Sequence, residues 1–204
     1  MLKEIARAHY RAIWFLYVIW AAFAIQVCCA LLGIDLPHIF GLIPRSLFGL
    51  FGIVCMPLLH GGLPHIIMNS VGLFMVLVPL YLAFQDEAHM PETILKITLI
   101  SGVLVWCFGR GTSPEGHLMT HIGASALSYG LTFYMLMAGL VFKNPFLIIV
   151  SFANLFWTGS SLIAGLSPTQ VGISWEGHLC GAIAGILVAI SQKKQMGTKL
   201  LQKT

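Results

Sequence analysis

Three short clusters of polar residues interrupt otherwise apolar stretches of the chain, and their residue types are suited to acyl transfer. They read HGGLPHIIMN from His60 to Asn69, GASA around Ser125 with Tyr129 following, and GHLCGAIAG around His178. A serine hydroxyl is a weak nucleophile until an adjacent base, commonly histidine, takes its proton. Further histidine and asparagine side chains can donate hydrogen bonds to a developing oxyanion. The clusters therefore predict a serine–histidine site, provided that the fold brings them together.

The spacing within the clusters favours helices that approach one another closely. His65 and Asn69 are four residues apart, as are Ser125 and Tyr129, so each pair shares one face of a helix. A stripe without side chains recurs at intervals of four and consists of Gly177, Gly181 and Gly185. Such stripes let membrane helices pack closely. We expect this one to bring His178 to Ser125.

The elements that position these clusters must lie in lipid. The chain has 204 residues, of which 58% are hydrophobic and only 9% are charged, and its mean hydropathy is +0.90. A soluble domain carries about 25% charged residues. The composition therefore excludes an ordinary soluble domain, a disordered chain and a nucleic-acid-binding protein.

Charge-free windows predict the number of helices. No Asp, Glu, Lys or Arg occurs in residues 12–34, 46–85, 97–109, 116–142, 144–175 and 177–192. Because a membrane-spanning helix needs about 20 apolar residues, we predict an all-α polytopic membrane protein, a six-transmembrane-helix bundle forming one domain over residues 1–204. The helices are predicted near 12–33, 65–84, 92–110, 123–142, 146–165 and 177–193. Residues 34–63, rich in Gly and Pro, are predicted to form a long first loop that dips into the membrane.

The distribution of basic residues predicts the orientation. With the N-terminus inside, nine of the eleven Lys and Arg residues fall on the inner side, and only Arg45 and Arg110 lie outside. This asymmetry agrees with the positive-inside rule and makes both termini cytoplasmic. The three polar clusters then share one depth just below the outer surface, because the second, fourth and sixth helices all run inward. Since polar groups in lipid are costly, this convergence indicates a functional layer.

The three motifs together resemble those of the rhomboid family of intramembrane serine proteases, over roughly residues 34–192. The resemblance implies the compact six-helix bacterial type, located in the bacterial inner membrane. It also implies an endopeptidase that cuts transmembrane segments of membrane proteins near the outer face. The resemblance implies Ser125 as nucleophile and His178 as general base, without a carboxylate as a third catalytic group. It implies an oxyanion hole formed by Asn69, His65 and the Ser125 backbone N–H, with Tyr129 packed against the His178 ring. His60 would brace the first loop by hydrogen bonding, and the implied supporting residues are Gly123, Gly181 and Gly185.

Two positions depart from the family pattern. Ala126 stands where the family's GxSG motif has its last glycine, and we expect so small a side chain to preserve the turn into the helix. The Trp-Arg pair that the family often has in the first loop is absent, and Pro44-Arg45 stands there instead.

Partners and neighbouring residues complete the prediction. The expected partners are transmembrane protein substrates and membrane lipid, with no nucleic acid, cofactor or metal; the oligomeric state is not indicated. Residues 167–175 are expected to form a mobile lid. Phe156 and Trp157 are expected either to line a lateral access path or to face lipid. Glu176 is expected at the water interface, and His117 and His121 are interpreted as loop residues in preference to metal ligands.

Two other classes of function compete with the protease. One is a non-catalytic rhomboid-like protein that binds membrane clients, although such a protein is expected to lack Ser125 or His178. The other is a small transporter using His60, His65 and His178 as a proton or metal path. Transporters usually show internal repeats and broken helix pairs, and neither is visible in this sequence.

Overall fold

The computed structural model describes residues 1–84, 88–113, 116–157 and 174–193. Within these ranges the chain forms eight α-helices and two short 3-10 turns, and the only β-pairing is two isolated bridges. The helices are α1 (Leu2–Leu31), α2 (Leu36–Phe40), α3 (Gly52–Cys55), α4 (Leu63–Ala83), α5 (His89–Phe108), α6 (Ser125–Val141), α7 (Pro145–Trp157) and α8 (Trp175–Ser191). The 3-10 turns span Phe48–Phe51 and Met56–Leu58.

Among the described residues, three helices are long and apolar enough to cross a membrane, namely α1, α4 and α5. Shorter apolar helices cover Phe48–Leu58, Ser125–Val141, Pro145–Phe156 and Trp175–Ser191. The chain is therefore an integral membrane protein, and its described part is built from helices. The ends of α4, α5, α6 and α8 lie within a few residues of the predicted bounds. By contrast, α1 begins at Leu2, ten residues before the predicted start, because its charged first turns continue the helix beyond the apolar window.

The connection between α1 and α4 is more helical than its composition predicted. It contains α2, α3 and both 3-10 turns, none longer than five residues, so glycine and proline limit the length of each piece. Gly49 and Gly52 lie directly on the backbone of Ile43 and Leu42, where an added Cβ would come within 2.1 Å. The segment therefore folds back on itself as a compact unit.

Several hydrogen bonds hold this connection to the end of α5 and to the segment that follows it. Leu42 and His121 exchange backbone hydrogen bonds of 3.0 and 2.8 Å. The Arg45 guanidinium donates to the carbonyl oxygens of Cys107 and Gly109 at 3.2 and 2.8 Å. Carbonyl groups at a helix C-terminus lack partners within the helix, so Arg45 caps the end of α5.

A polar residue of α1 also fixes this connection. The side-chain amide of Gln26 donates to the His60 carbonyl oxygen at 2.6 Å, and its oxygen accepts from the His60 backbone N–H at 3.0 Å. His60 itself is fully buried, with its ring edge-on to the rings of Phe23 and His65. The hydrogen bonds that brace this point of the loop therefore run through the His60 backbone.

Among the described helices, α6 and α8 pack against each other most extensively. An added Cβ on Gly181 would lie 2.0 Å from the Ala126 carbonyl oxygen, and one on Gly185 would lie 1.9 Å from the Gly130 carbonyl oxygen. No larger residue fits at this separation. The glycine stripe thus works as a close-packing surface, and it sets the distance between the first turns of the two helices.

Farther along the same two helices, buried side-chain hydrogen bonds join each of them to α5. His89 Nε2 and the Tyr134 hydroxyl are 2.8 Å apart, and the Thr93 hydroxyl donates to the side-chain oxygen of Gln192 at 3.0 Å. Tyr134 belongs to α6, and Gln192 immediately follows α8. Buried polar groups that find partners specify one arrangement of the elements carrying them, so α8 is held at both ends.

Candidate active site

One cavity of about 660 Å³ collects residues from all three polar clusters. Its lining includes Ser125, His178, His65, Asn69 and Tyr129. The cavity lies at the N-terminal ends of α4, α6 and α8, because these three helices begin on the same side of the bundle. The structure therefore brings five of the sequence-predicted site residues around a single space.

Ser125 is the first residue of α6. The N–H groups of a first helical turn have no partner within the helix and concentrate partial positive charge. The backbone before it is fixed by Gly123, whose φ is +106° and whose N–H donates to the Met56 carbonyl oxygen at 2.9 Å. Ala126 continues the helix without interruption and is buried. Ser125 thus combines a hydroxyl and a positively polarised backbone at one point of the cavity.

The His178 ring is held by stacking. Its centroid lies 4.2 Å from that of Tyr129, and the two planes are inclined by only 7°. Both side chains are buried. The backbone N–H of His178 donates to the Ser174 carbonyl oxygen at 3.2 Å, which places His178 in the first turn of α8. A stacked, buried ring has little rotational freedom, so the direction of its nitrogens is restricted.

The hydrogen bonds of His65 indicate its tautomer. The Gly61 backbone N–H donates to His65 Nδ1 at 3.3 Å. Because Nδ1 accepts, the proton of the neutral ring lies on Nε2. Nε2 in turn lies against Gly123, where an added Cβ would come within 2.5 Å of it. Glycine is therefore required at position 123 for two reasons: it adopts the positive φ, and it leaves room for the His65 Nε2–H donor near Ser125.

Asn69 lies one turn after His65 on α4. Its side-chain nitrogen donates to the His65 carbonyl oxygen at 2.7 Å, and an amide nitrogen has a second N–H to offer. Its Oδ1 is buried and accepts no hydrogen bond from the residues that the structure describes. An incompletely satisfied polar group is unusual in a protein interior and calls for an explanation. Here the amide borders the cavity.

A polar network that the sequence did not predict surrounds the first turn of α8. Glu176 is only 5% exposed, so the expectation that it lies at the water interface is wrong. Its carboxylate pairs with the Arg110 guanidinium through both oxygens and also accepts from the Arg110 backbone N–H at 3.3 Å. The sequence offered two signals for this network, namely a carboxylate two residues before His178 and a basic residue, Arg110, that the predicted orientation places on the outer side.

His121 completes this network. Its Nε2 lies 2.9 Å from the Arg110 carbonyl oxygen and its Nδ1 lies 2.6 Å from the Ser174 hydroxyl. Burial lowers the pKa of His121 below its usual range, which favours a neutral ring. Nε2 then donates to the carbonyl, and Nδ1 accepts from Ser174. The Ser174 oxygen in turn accepts from the Gly177 N–H at 3.1 Å and caps α8.

Other predicted residues are placed away from this network or outside the described ranges. His117 is exposed, whereas His121 is buried. No cluster of three or more potential metal ligands occurs in the part of the chain that the structure describes. Phe156 is 87% exposed. The Trp157 side chain, the predicted lid apart from Ser174 and Trp175, and the lysine-rich tail beyond Lys193 lie outside the described residues.

The fold and the cavity together define a helical integral membrane protein with a serine and histidines at one end of its bundle. Comparison with known families matches residues 47–194 to the Rhomboid domain. The chain belongs to the rhomboid family.

Mycobacterial proteins are among those similar to this chain. An uncharacterized protein of Mycobacterium tuberculosis (strain ATCC 25618 / H37Rv) is 31% identical over 151 residues, which cover 73% of this chain and 62% of that protein. An uncharacterized protein of Mycobacterium leprae (strain TN) is 31% identical over 143 residues, covering 69% of this chain and 55% of that protein. The chain therefore matches little more than half of the length of these relatives.

Proposed function

We propose that the protein is an intramembrane serine endopeptidase that cleaves transmembrane segments of other membrane proteins with a Ser125–His178 dyad. The observation that supports this most strongly is the single cavity lined by Ser125, His178, His65 and Asn69. Membership of the rhomboid family, which generally comprises intramembrane serine proteases, supports the same reaction class.

The proposed reaction begins with attack of the Ser125 hydroxyl oxygen on the carbonyl carbon of the scissile peptide bond. His178 takes the hydroxyl proton as general base and then gives it to the leaving amine, which separates as the first product. A water molecule then hydrolyses the acyl-enzyme ester, again with His178 as base, and regenerates the serine. The stacking of His178 on Tyr129 orients the ring for both transfers.

The oxyanion that forms in each step needs hydrogen-bond donors. The Ser125 backbone N–H, His65 Nε2 and the second N–H of the Asn69 amide are the proposed donors. The Gly61–His65 hydrogen bond supports this assignment, because it leaves the His65 proton on Nε2. The N-terminal end of α6 adds favourable electrostatic potential. Loss of one such donor typically costs about 10²–10³ in rate.

The proposed topology has six spans, formed by α1, α4, α5, α6, α7 and α8, with both termini cytoplasmic and the cavity near the outer face. Nine basic residues on the inner side against two on the outer side support this orientation. Substrates would accordingly be cut near the outer surface of the bacterial inner membrane. A transmembrane helix must unwind locally to be cut, since its carbonyls are engaged in hydrogen bonds.

The test is cleavage of a transmembrane substrate by the purified protein in detergent. Wild type is compared with Ser125→Ala and with Ser101→Ala as a matched control. Ser101 is a buried serine within helix α5, and among the described residues its hydroxyl donates to the Thr98 carbonyl oxygen of the same helix. We expect cleavage by wild type and Ser101→Ala and none by Ser125→Ala.

The same experiment distinguishes the competing functions. Equal cleavage by wild type and Ser125→Ala would rule out the serine mechanism. Binding of the substrate without cleavage by the wild type would favour a non-catalytic client-binding protein. Ion or proton flux in vesicles containing the Ser125→Ala variant, without proteolysis by the wild type, would favour a transporter.

A further inference from the structure

We propose that the partly buried Arg110–Glu176 ion pair positions His178 by fixing the first turn of α8 against the segment between α5 and α6. The inference rests on the proposed function, because the position of His178 matters for catalysis only if the Ser125–His178 dyad operates.

The ion pair has the geometry of a rigid joint. Arg110 Nε contacts one carboxylate oxygen of Glu176, and an Arg110 terminal nitrogen donates to the other oxygen at 3.2 Å. The Arg110 backbone N–H donates to the same carboxylate. A two-pronged arginine–carboxylate pair fixes orientation as well as distance. The Glu176 side chain is 6% exposed and that of Arg110 32%, so water competes weakly for the carboxylate.

The joint acts on the same helical turn as His178. Glu176 and His178 are two residues apart, so their side chains leave α8 in different directions. Glu176 reaches Arg110, whereas His178 stacks on Tyr129. The first turn of α8 is consequently held from two sides. Loss of the ion pair therefore removes one of these two restraints from a helix end that tends to fray.

A second path closes the network into a ring of hydrogen bonds. His121 joins the Arg110 carbonyl oxygen to the Ser174 hydroxyl, and Ser174 caps α8 through the Gly177 N–H. Arg110 therefore contacts the start of α8 directly through Glu176 and indirectly through His121. A buried ion pair is weak evidence for stability alone, because desolvation of its charges offsets their attraction. Its position in this ring points to a role in orientation.

The measurement separates kcat from KM for cleavage of a transmembrane substrate in detergent, using Glu176→Gln, which keeps the side-chain shape and removes the charge. We expect kcat to fall about tenfold, since a displacement of about 1 Å in an active site can cost 10²-fold, and KM to change less than twofold. Glu92→Gln is the matched control, because Glu92 pairs with Lys96 at 2.6 Å but both side chains are about 40% exposed. The control is expected to keep the wild-type kcat.

Three further variants separate orientation from folding, namely Arg110→Gln, its combination with Glu176→Gln, and Arg110→Lys. Arg110→Gln combined with Glu176→Gln is expected to be no slower than either single variant, because both break one joint. Arg110→Lys keeps the charge but loses the two-pronged contact, so it is expected to lower kcat several-fold and decides the matter if Glu176→Gln does not fold.

The outcomes are distinct. Three results would each overturn the positioning role while leaving the proposed protease intact. The folded Glu176→Gln variant could have the wild-type kcat, or its kcat could fall no further than its fraction of folded protein. The third result is that the effects of the two substitutions on kcat add in the double variant. Absence of cleavage by the wild type would instead overturn the proposed function and, with it, this inference.

Discussion

Replacing Gly181 by alanine forces α6 and α8 apart beside the candidate dyad. The added Cβ would lie 2.0 Å from the Ala126 carbonyl oxygen, whereas ordinary contact begins at 3.4 Å. The shortfall is about 1.4 Å, and the obstructing atoms, the Ala126 carbonyl oxygen, carbonyl carbon and Cα, belong to helix backbone, which cannot rotate away. Ser125 adjoins Ala126, and His178 lies three residues before Gly181. The separation between nucleophile and base must therefore change.

The expected loss follows from that displacement. A misplacement of about 1 Å can lower an enzymatic rate 10²-fold, which corresponds to about 2.7 kcal/mol in the activation barrier. Overpacking also lowers the free energy of unfolding by about 1–3 kcal/mol. We expect Gly181→Ala to reduce kcat/KM for a transmembrane substrate about 10²-fold under conditions in which thermal unfolding shows that the protein is folded.

Gly33→Ala is the control for lost stability. Gly33 has a φ of +78°, and within the described ranges no neighbouring atom lies within 4 Å of an added Cβ. Its substitution costs about 1–2 kcal/mol through the left-handed backbone alone, without a steric clash, so kcat/KM should stay at the wild-type value. A folded Gly181→Ala variant with wild-type kcat/KM would refute the view that the glycine stripe sets the spacing of the dyad.

Three further predictions concern the surroundings of the site. Gly123→Ala places a methyl group 2.5 Å from His65 Nε2 and strains a backbone φ of +106°. The kcat should therefore fall about 10²–10³-fold, as it does when an oxyanion donor is lost. An unchanged kcat in a folded variant would contradict this. Gln26→Leu removes the side chain that pairs with both backbone groups of His60, so it should lower the free energy of unfolding by about 2 kcal/mol. Thermal unfolding measures this, and an unchanged unfolding temperature would contradict it. Burial holds the pKa of His121 below its usual value, so the unfolded chain binds the proton more readily and stability present at neutral pH is lost on acidification below about pH 6.5. The His121→Gln variant should show a shallower loss between pH 7 and pH 5, by at most about 1.4 kcal/mol per pH unit, and an identical slope would contradict the neutral buried ring.

The polar clusters were predictable from the sequence because lipid makes polar groups conspicuous. Ser125, His178, His65 and Asn69 stand in apolar surroundings, and their helix periodicity indicates which face each occupies. The structure places all four around one cavity. Their catalytic roles stay predictions until they are measured.

The network around Glu176 was not predictable in the same way. Arg110 and Glu176 are 66 positions apart in the chain, and each stands at the edge of a charge-free window, where a charged residue usually marks the water interface. Only the packing of α5 beside α8 brings them together. The periodicity of either helix carries no information about such a pairing.

Gln26 carries a sequence signal that does not identify its partner. It is a polar residue inside the first apolar window, and polar residues in membrane helices usually have a partner. Its partner is the backbone of His60, and a backbone group leaves no trace in the sequence. Candidate catalytic side chains were thus predictable from their residue types, whereas hydrogen bonds from side chains to the backbone became visible only in the folded structure.

The most direct test of the central claim is the site of covalent labelling by a fluorophosphonate probe. Purified wild type and His178→Ala are incubated with the probe in detergent, and the modified residue is identified by mass spectrometry. A Ser125–His178 dyad predicts a single adduct on Ser125 in the wild type and little or none in His178→Ala, because the hydroxyl is activated by its base. Labelling of Ser125 at equal rates in both proteins, or no adduct on Ser125 in the wild type, would contradict the dyad.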